Sequence, residues 1–203
     1  MRLLSLLTTA AALMAFSTHA EDGKWMIRAR AIGVIPDESS SITPIGGSAE
    51  VDNSLVPEVD ISYFFTPNIA VELIAATTPH DVKAEATALG TVDVGNAWLL
   101  PPTLTLQYHF TQFKDFKPYV GAGINYTIFY NEDAGALASV EYDESFGPAL
   151  QAGVDIPLQG NWCLNFDVKK IWINTTASFN GGAVNADVDI DPWVIGAGFG
   201  YRF

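Results

Sequence analysis

The sequence predicts an all-β protein, one closed eight-stranded antiparallel barrel. Three observations predict it. Eight segments alternate with period two, the connections between them alternate between short and long, and aromatic residues crowd the short-connection ends.

The first segment, about 24–35, alternates loosely but sets Arg28 and Arg30 on one face. In the second, Val59, Ile61, Tyr63 and Phe65 oppose Glu58, Asp60 and Ser62. The third sets Ile69, Val71, Leu73 and Ala75 against Glu72. The fourth sets Leu104, Leu106, Tyr108 and Phe110 against Thr103, Thr105, Gln107 and His109. The fifth, about 118–130, keeps Gly121, Gly123, Asn125 and Thr127 on one face. In the sixth, Leu150, Ala152, Val154 and Ile156 oppose Gln151, Gly153 and Asp155. The seventh places Trp162, Leu164, Phe166 and Val168 opposite Cys163, Asn165, Asp167 and Lys169. The eighth, "WVIGAGFGYRF" (193–203), alternates bulky apolar residues with Val194, three glycines and Arg202.

The connections at 66–68, 111–117 and 157–161 are short, and those at 37–56, 77–96, 131–144 and 174–190 are long. An even strand count with this alternation describes an outer-membrane barrel with short periplasmic turns and long extracellular loops. Its first and last strands must pair, because lipid offers an edge no hydrogen-bond partner. A soluble lipocalin-like barrel would turn its polar residues outward. Here Tyr63, Phe65, Tyr108, Phe110, Trp162, Tyr201 and Phe203 share the apolar face at the short-turn ends, as an interfacial girdle would.

Composition agrees. Residues 1–20 carry Arg2, an apolar stretch from Leu3 to Phe16 and the small-residue exit Thr18-His19-Ala20, the build of a cleaved secretory signal. Residues 21–203 then form the barrel. This part holds no apolar run long enough for a spanning helix. Hydrophobic residues make up 49% of the chain and charged residues only 16%, too few charges for an ordinary soluble surface. Without Arg2, nine basic residues face 23 acidic ones, which excludes nucleic acid as a partner. Cys163 is the sole cysteine, so no internal disulfide forms.

On the inward face, Arg28, Arg30, Lys169 and Arg202 meet Glu58, Asp60, Glu72, Asp155 and Asp167 low in the barrel, with His109 among them. Charges confined this way should pair, so these nine residues are expected to form a polar plug. Higher up, Ile32, Val34, Ile74, Leu99, Ile171, Ile173 and Val194 point inward, either as a packed core or as an apolar funnel open to the outside. Pro57, Pro101, Pro102, Pro148 and Pro192 stand near the outer ends of the descending strands. They mark strand starts or, above all at Pro101-Pro102, a weakened wall through which a solute leaves sideways. Fifteen of the 23 acidic residues lie in or beside the long connections. They form a solvated surface or, less in keeping with their spacing, bind divalent cations beside lipopolysaccharide. No metal site or cofactor is assigned. With His80 in a loop, His109 at the floor and Cys163 away from any route, no nucleophile and base are paired, and no enzymatic activity is expected.

The stretches "LPPTLTLQYHF" (100–110), "KPYVGAGINYT" (117–127), "LQAGVDIPL" (150–158) and "DPWVIGAGFGYRF" (191–203) resemble the outer membrane protein W (OmpW) family, relatives of the alkane-uptake porin AlkL. The resemblance runs over essentially the whole chain after residue 20. It implies an eight-stranded barrel in the Gram-negative outer membrane whose narrow apolar interior passes small hydrophobic molecules. It also implies that the aromatic end, Tyr201 and Phe203, is read by the barrel-assembly machinery. Some members serve as bacteriocin receptors, and a structural, adhesive or receptor barrel with a filled interior is the alternative function.

Overall fold

The computed structural model describes residues 23–43, 46–88, 90–135 and 139–203. The expected signal segment, 1–20, lies outside them. In chain order the strands are β1 (Trp25–Ile35), β2 (Ser39–Thr43), β3 (Ser48–Val51), β4 (Ser54–Phe64), β5 (Ile69–Ala76), β6 (Thr78–Thr87), β7 (Gly90–Leu100) and β8 (Thr103–His109). They continue with β9 (Lys117–Asp133), β10 (Val140–Tyr142), β11 (Ser145–Pro157), β12 (Trp162–Ile171), β13 (Asn174–Phe179), β14 (Val184–Asp189) and β15 (Trp193–Arg202).

Eight of these, β1, β4, β5, β8, β9, β11, β12 and β15, pair with their neighbours in antiparallel register and close on themselves. Closure runs from Met26 opposite Arg202 to Ile35 opposite Trp193. Phe203 completes it: its N–H donates to the Trp25 carbonyl at 2.8 Å, and the Trp25 N–H donates back at 3.0 Å. Among the described residues no helix is long and apolar enough to cross a membrane.

The two faces decide which solvent the wall meets. Leu106, Leu150, Ile195 and Phe199 point outward and are 51–59% exposed, while Arg28, Glu72, Asn125 and Asn165 point inward and are wholly buried. A water-soluble barrel would have these reversed. The aromatic belt is in contact at the short-turn ends: Trp25 with Tyr63 at 4.8 Å, Tyr108 with Phe110 at 5.1 Å and Trp162 with Tyr201 at 5.0 Å between ring centroids.

The long connections are more ordered than expected. β6 and β7 continue β5 and β8 upward as one hairpin, and β3 pairs with β6. The strands β10, β13, β14 and β2 form a second sheet. Together they raise the wall well above the spanning barrel. Their outward positions carry the acids that the sequence reading left as loop surface: Asp187 and Asp189 face out, while Ala186, Val188 and Ile190 are buried.

Inward glycines on β15 give the arginines room. Gly200 stands opposite Arg28, Gly198 opposite Arg30 and Gly196 opposite Ile32. A Cβ at residue 198 would strike the Ala29 carbonyl oxygen and lie 2.6 Å from Arg30 Cα, and backbone there cannot yield without opening the closing ladder. Gly198→Ala is therefore expected to destabilise the barrel by about 1–3 kcal/mol. The readout is an earlier loss of the compact band when unboiled samples are heated stepwise before electrophoresis.

Candidate functional site

The lower lumen is crossed by one network of buried charges. Arg28 on β1 reaches the opposite wall, where its Nε and Nη2 donate to the two Asp155 oxygens at 3.1 and 2.8 Å. Its Nη1 donates to Asp60 at 3.2 Å, Glu72 at 3.2 Å and Ser62 Oγ at 2.9 Å. Arg30 pairs with Asp60, with Glu58 and Glu72 at 3.1 Å, and with Asp167 at 3.5 Å. Lys169 closes the ring on Glu58 at 2.8 Å and Asp167 at 2.9 Å. Strands facing each other across the barrel are thus tied through their side chains.

Eight of the nine residues expected in this network are in it. Arg202 is not. Its guanidinium lies over the Phe64 ring, 3.9 Å from the centroid, and its Nε donates to the Gly23 carbonyl. At the rim of the barrel, an aromatic face and a backbone oxygen take the place of a carboxylate. Three cations therefore face five carboxylates, and neutral donors supply the difference. Tyr119 Oη donates to Asp167 at 2.6 Å, and Gln151 Nε2 donates to Glu72 at 2.8 Å and Asp167 at 2.9 Å. Asn165 Nδ2 donates to Asp155 at 2.8 Å. Tyr119 and Gln151 went unassigned from sequence, although both stand on inward positions of their strands. Beneath the charges Met26, Phe64, Ala70 and Cys163 form a small apolar cluster, and His109 stacks on Tyr119 at 4.9 Å. The periplasmic floor accordingly combines apolar and aromatic packing with the polar groups of His109, Gln107 and Arg202.

Above the charges the lumen turns apolar. All seven residues expected to line a funnel, Ile32, Val34, Ile74, Leu99, Ile171, Ile173 and Val194, surround one cavity with Glu58 and Lys169 in its lining. It is small, about 30 Å³, the room of about one water. A larger cavity of about 120 Å³ lies above it, between the two upper sheets, against Ile42, Val82, Phe129, Phe179, Val188 and others. His80, Leu99 and Ile190 line both cavities and so stand between them. His80 is buried on β6, and its Nδ1 lies 2.7 Å from the Asp52 carbonyl oxygen. Burial lowers its pKa, so this boundary is uncharged at neutral pH.

The wall beside the lower cavity is interrupted. Ile74 faces Thr103 and Thr78 faces Leu99 in one constant register, but the positions between, 75–77 against 100–102, form no ladder pairs. Pro101 and Pro102 occupy this gap. On the other flank the β4–β5 ladder stops at Glu58 opposite Ala76, next to Pro57, and backbone bonding resumes at Asp52, whose N–H donates to the Asp81 carbonyl at 3.2 Å, followed by Val51 opposite Val82. Thr77 thus belongs to no ladder on either side, and its hydroxyl bonds Tyr130 Oη on the outer surface. Pro101 and Ala76 line the lower cavity. Of the other prolines, Pro148 sits in a continuous ladder opposite Ile124, and Pro192 precedes β15 and accepts the Ile171 N–H at 3.2 Å.

Removing one member of a buried ion network leaves its partner desolvated with part of its compensation gone. Asp155→Asn takes from Arg28 its two-point contact and should cost about 3–5 kcal/mol. Arg28→Met, which also takes the cation from Asp60 and Glu72, should cost at least as much, as measured by urea unfolding of the barrel in vesicles.

The chain is similar to known proteins over nearly its full length. It is 52% identical over 184 residues to an uncharacterized outer-membrane protein, y4mB, of Sinorhizobium fredii, covering 88% of this chain and 80% of that one. It is 30% identical over 201 residues to outer membrane protein AlkL of Ectopseudomonas oleovorans, covering 92% and 85%. The crystal structure of the outer membrane protein OprG from Pseudomonas aeruginosa superposes with a TM-score of 0.82 at 34% identity, covering 89% of this chain and 96% of that one. The barrel therefore resides in a Gram-negative outer membrane. The model of the OmpW family matches residues 21–203, and the chain belongs to that family.

Proposed function

We propose that this barrel takes up small hydrophobic molecules passively, admitting them to the upper apolar cavity and releasing them sideways into the membrane above the charged network. The observation that carries the reading is the sequence of spaces. An apolar cavity of about 120 Å³ lies above a smaller one, with the uncharged boundary of His80, Leu99 and Ile190 between them. The smaller one is bounded by the pair Glu58 and Lys169, and by the unpaired wall at Pro101-Pro102. Apolar cavities of about 150 Å³ take up a benzene-sized solute, and the upper cavity is on that scale. Going on downward would strip hydrogen bonds from buried charges, which costs several kcal/mol. Going sideways separates only a strip of wall without ladder bonds. The similarity to AlkL, whose resemblance implies alkane uptake, supports the same solute class.

The small lower cavity favours a second reading, a structural or receptor barrel with a filled interior. On the transport reading Leu99, Ile190 and their neighbours move aside as solute passes. Under either reading the aromatic closing strand, with Tyr201 outward and Phe203 paired, suits recognition by the barrel-assembly machinery.

Purified protein in liposomes should raise entry of a small alkane or fatty ester but not of a sugar of similar size. No increase for either solute would favour the filled barrel, and equal increases for both would sink the hydrophobic-channel reading. Replacing Pro101 and Pro102 together by Val restores two ladder donors, and uptake should then fall roughly tenfold, the equivalent of about 1.4 kcal/mol. Unchanged uptake in a correctly folded variant would rule out exit at this seam. Acidification should also slow entry. With its pKa lowered by burial, His80 gains charge only below the usual value of about 6.5. Wild-type rates should fall as pH drops through that range, while His80→Gln stays flat.

A further inference from the structure

The turn between β8 and β9 differs from the other two short turns. Residues 65–68 and 158–161 contain no charge, whereas 110–116 with Lys117 carries Lys114, Asp115 and Lys117 around two phenylalanines. Phe113 and Phe116 are 40% and 42% exposed, and their rings stack on each other, 4.8 Å apart and 16° from parallel. Each shields one face of the other and leaves its outer face to the surroundings. The turn follows directly from Tyr108 and Phe110, whose ring contact belongs to the interfacial belt. An apolar pair thus continues the membrane belt, flanked by two ammonium groups and one carboxylate. This cationic patch lies at the opposite end of the barrel from the fifteen acids of the long connections.

We propose that this turn is a docking surface for anionic glycerophospholipid of the periplasmic leaflet, with Phe113 and Phe116 seated at the glycerol level and Lys114 and Lys117 on the phosphates. Charge complementarity selects the occupant. A zwitterionic headgroup offers the ammonium groups a phosphate already paired with its own cation. An anionic headgroup leaves its charge free, and lysines near such a surface each add attraction that falls away within a Debye length. The outward rings supply the apolar contact that a soluble anion lacks. The inference is independent of what passes through the lumen.

The test uses the full barrel in nanodiscs of mixed phosphatidylcholine and phosphatidylglycerol, with native mass spectrometry counting the lipids each variant retains. Wild type should retain phosphatidylglycerol roughly tenfold over its share of the bilayer. Lys114→Gln with Lys117→Gln, and separately Phe113→Ser with Phe116→Ser, should lose most of that preference. Lys83→Gln at the other end should keep it. Equal enrichment in wild type and the lysine double variant would overturn the proposal. So would enrichment that inorganic phosphate abolishes and the phenylalanine changes leave intact, because that pattern describes a bare anion site. Should the double variants fold poorly, Phe113→Cys carrying an environment-sensitive fluorophore gives a second readout, Cys163 being buried. Its emission should shift to the blue in vesicles containing phosphatidylglycerol and much less in phosphatidylcholine alone. The same emission in both would overturn the assignment.

Discussion

Every other feature of this barrel depends on one constraint: in hydrocarbon, no backbone N–H or C=O finds a partner outside the wall. The ladder between β1 and β15 meets it, and it runs to the last residue, where Phe203 and Trp25 exchange both hydrogen bonds. Closing the sheet fixes the direction of each side chain. Alternate residues must face lipid, so they are Leu, Ile, Val and aromatics. Whatever is polar has to go inward, into a space of eight-strand width that holds side chains and little more.

The charged network follows from that confinement. Arg28 and Arg30 cannot be hydrated as free cations inside the wall, so each is shared among several carboxylates from different strands. Such a network is a weak source of net stability, because desolvation offsets most of the attraction, but it penalises any arrangement that separates its members. The glycines of β15 belong to the same solution, since side chains there would occupy the volume the guanidinium groups need. The outcome is a lumen with two chemistries stacked along its axis. Charge and hydrogen bonds hold the opposing walls together below, and apolar side chains leave room above.

Much of this was legible in the sequence because period-two alternation reports direction. Arg28, Glu58, Asp60 and Asp167 could be placed inward by parity alone, as could Ile32 and Val194. Parity does not report where a long side chain ends. Arg202 points to the lumen side of its strand, yet its guanidinium settles over Phe64 at the rim. The upper cavity was hidden for a different reason. Val184, Ala186, Val188 and Ile190 alternate with Asn185, Asp187, Asp189 and Asp191 as cleanly as any spanning strand, but the acids read as solvated loop. Above the membrane the outward face meets water rather than lipid, so the polar half of the alternation lies outside, where a spanning strand keeps its polar half inside. Looking for alternation with the opposite polarity would have found this part of the wall.

The interrupted wall sits where that change of solvent makes it tolerable. An unpaired strip in the middle of the hydrocarbon would leave donors and acceptors without partners. At Pro101 and Pro102 two of the donors do not exist, because proline has no N–H. Of the acceptors there, the Pro102 carbonyl takes the Tyr126 N–H at 3.1 Å on its other side, and the Pro101 carbonyl takes the Thr103 hydroxyl at 3.0 Å. On the side of Pro101 and Pro102 the gap is therefore made in part by chemistry that removes hydrogen-bonding groups. Parting this strip exposes fewer orphaned groups than parting any fully paired stretch of the same length. On the uptake proposed above, a wall built in this way would part at this strip before any other, beside the apolar cavity and above the charges.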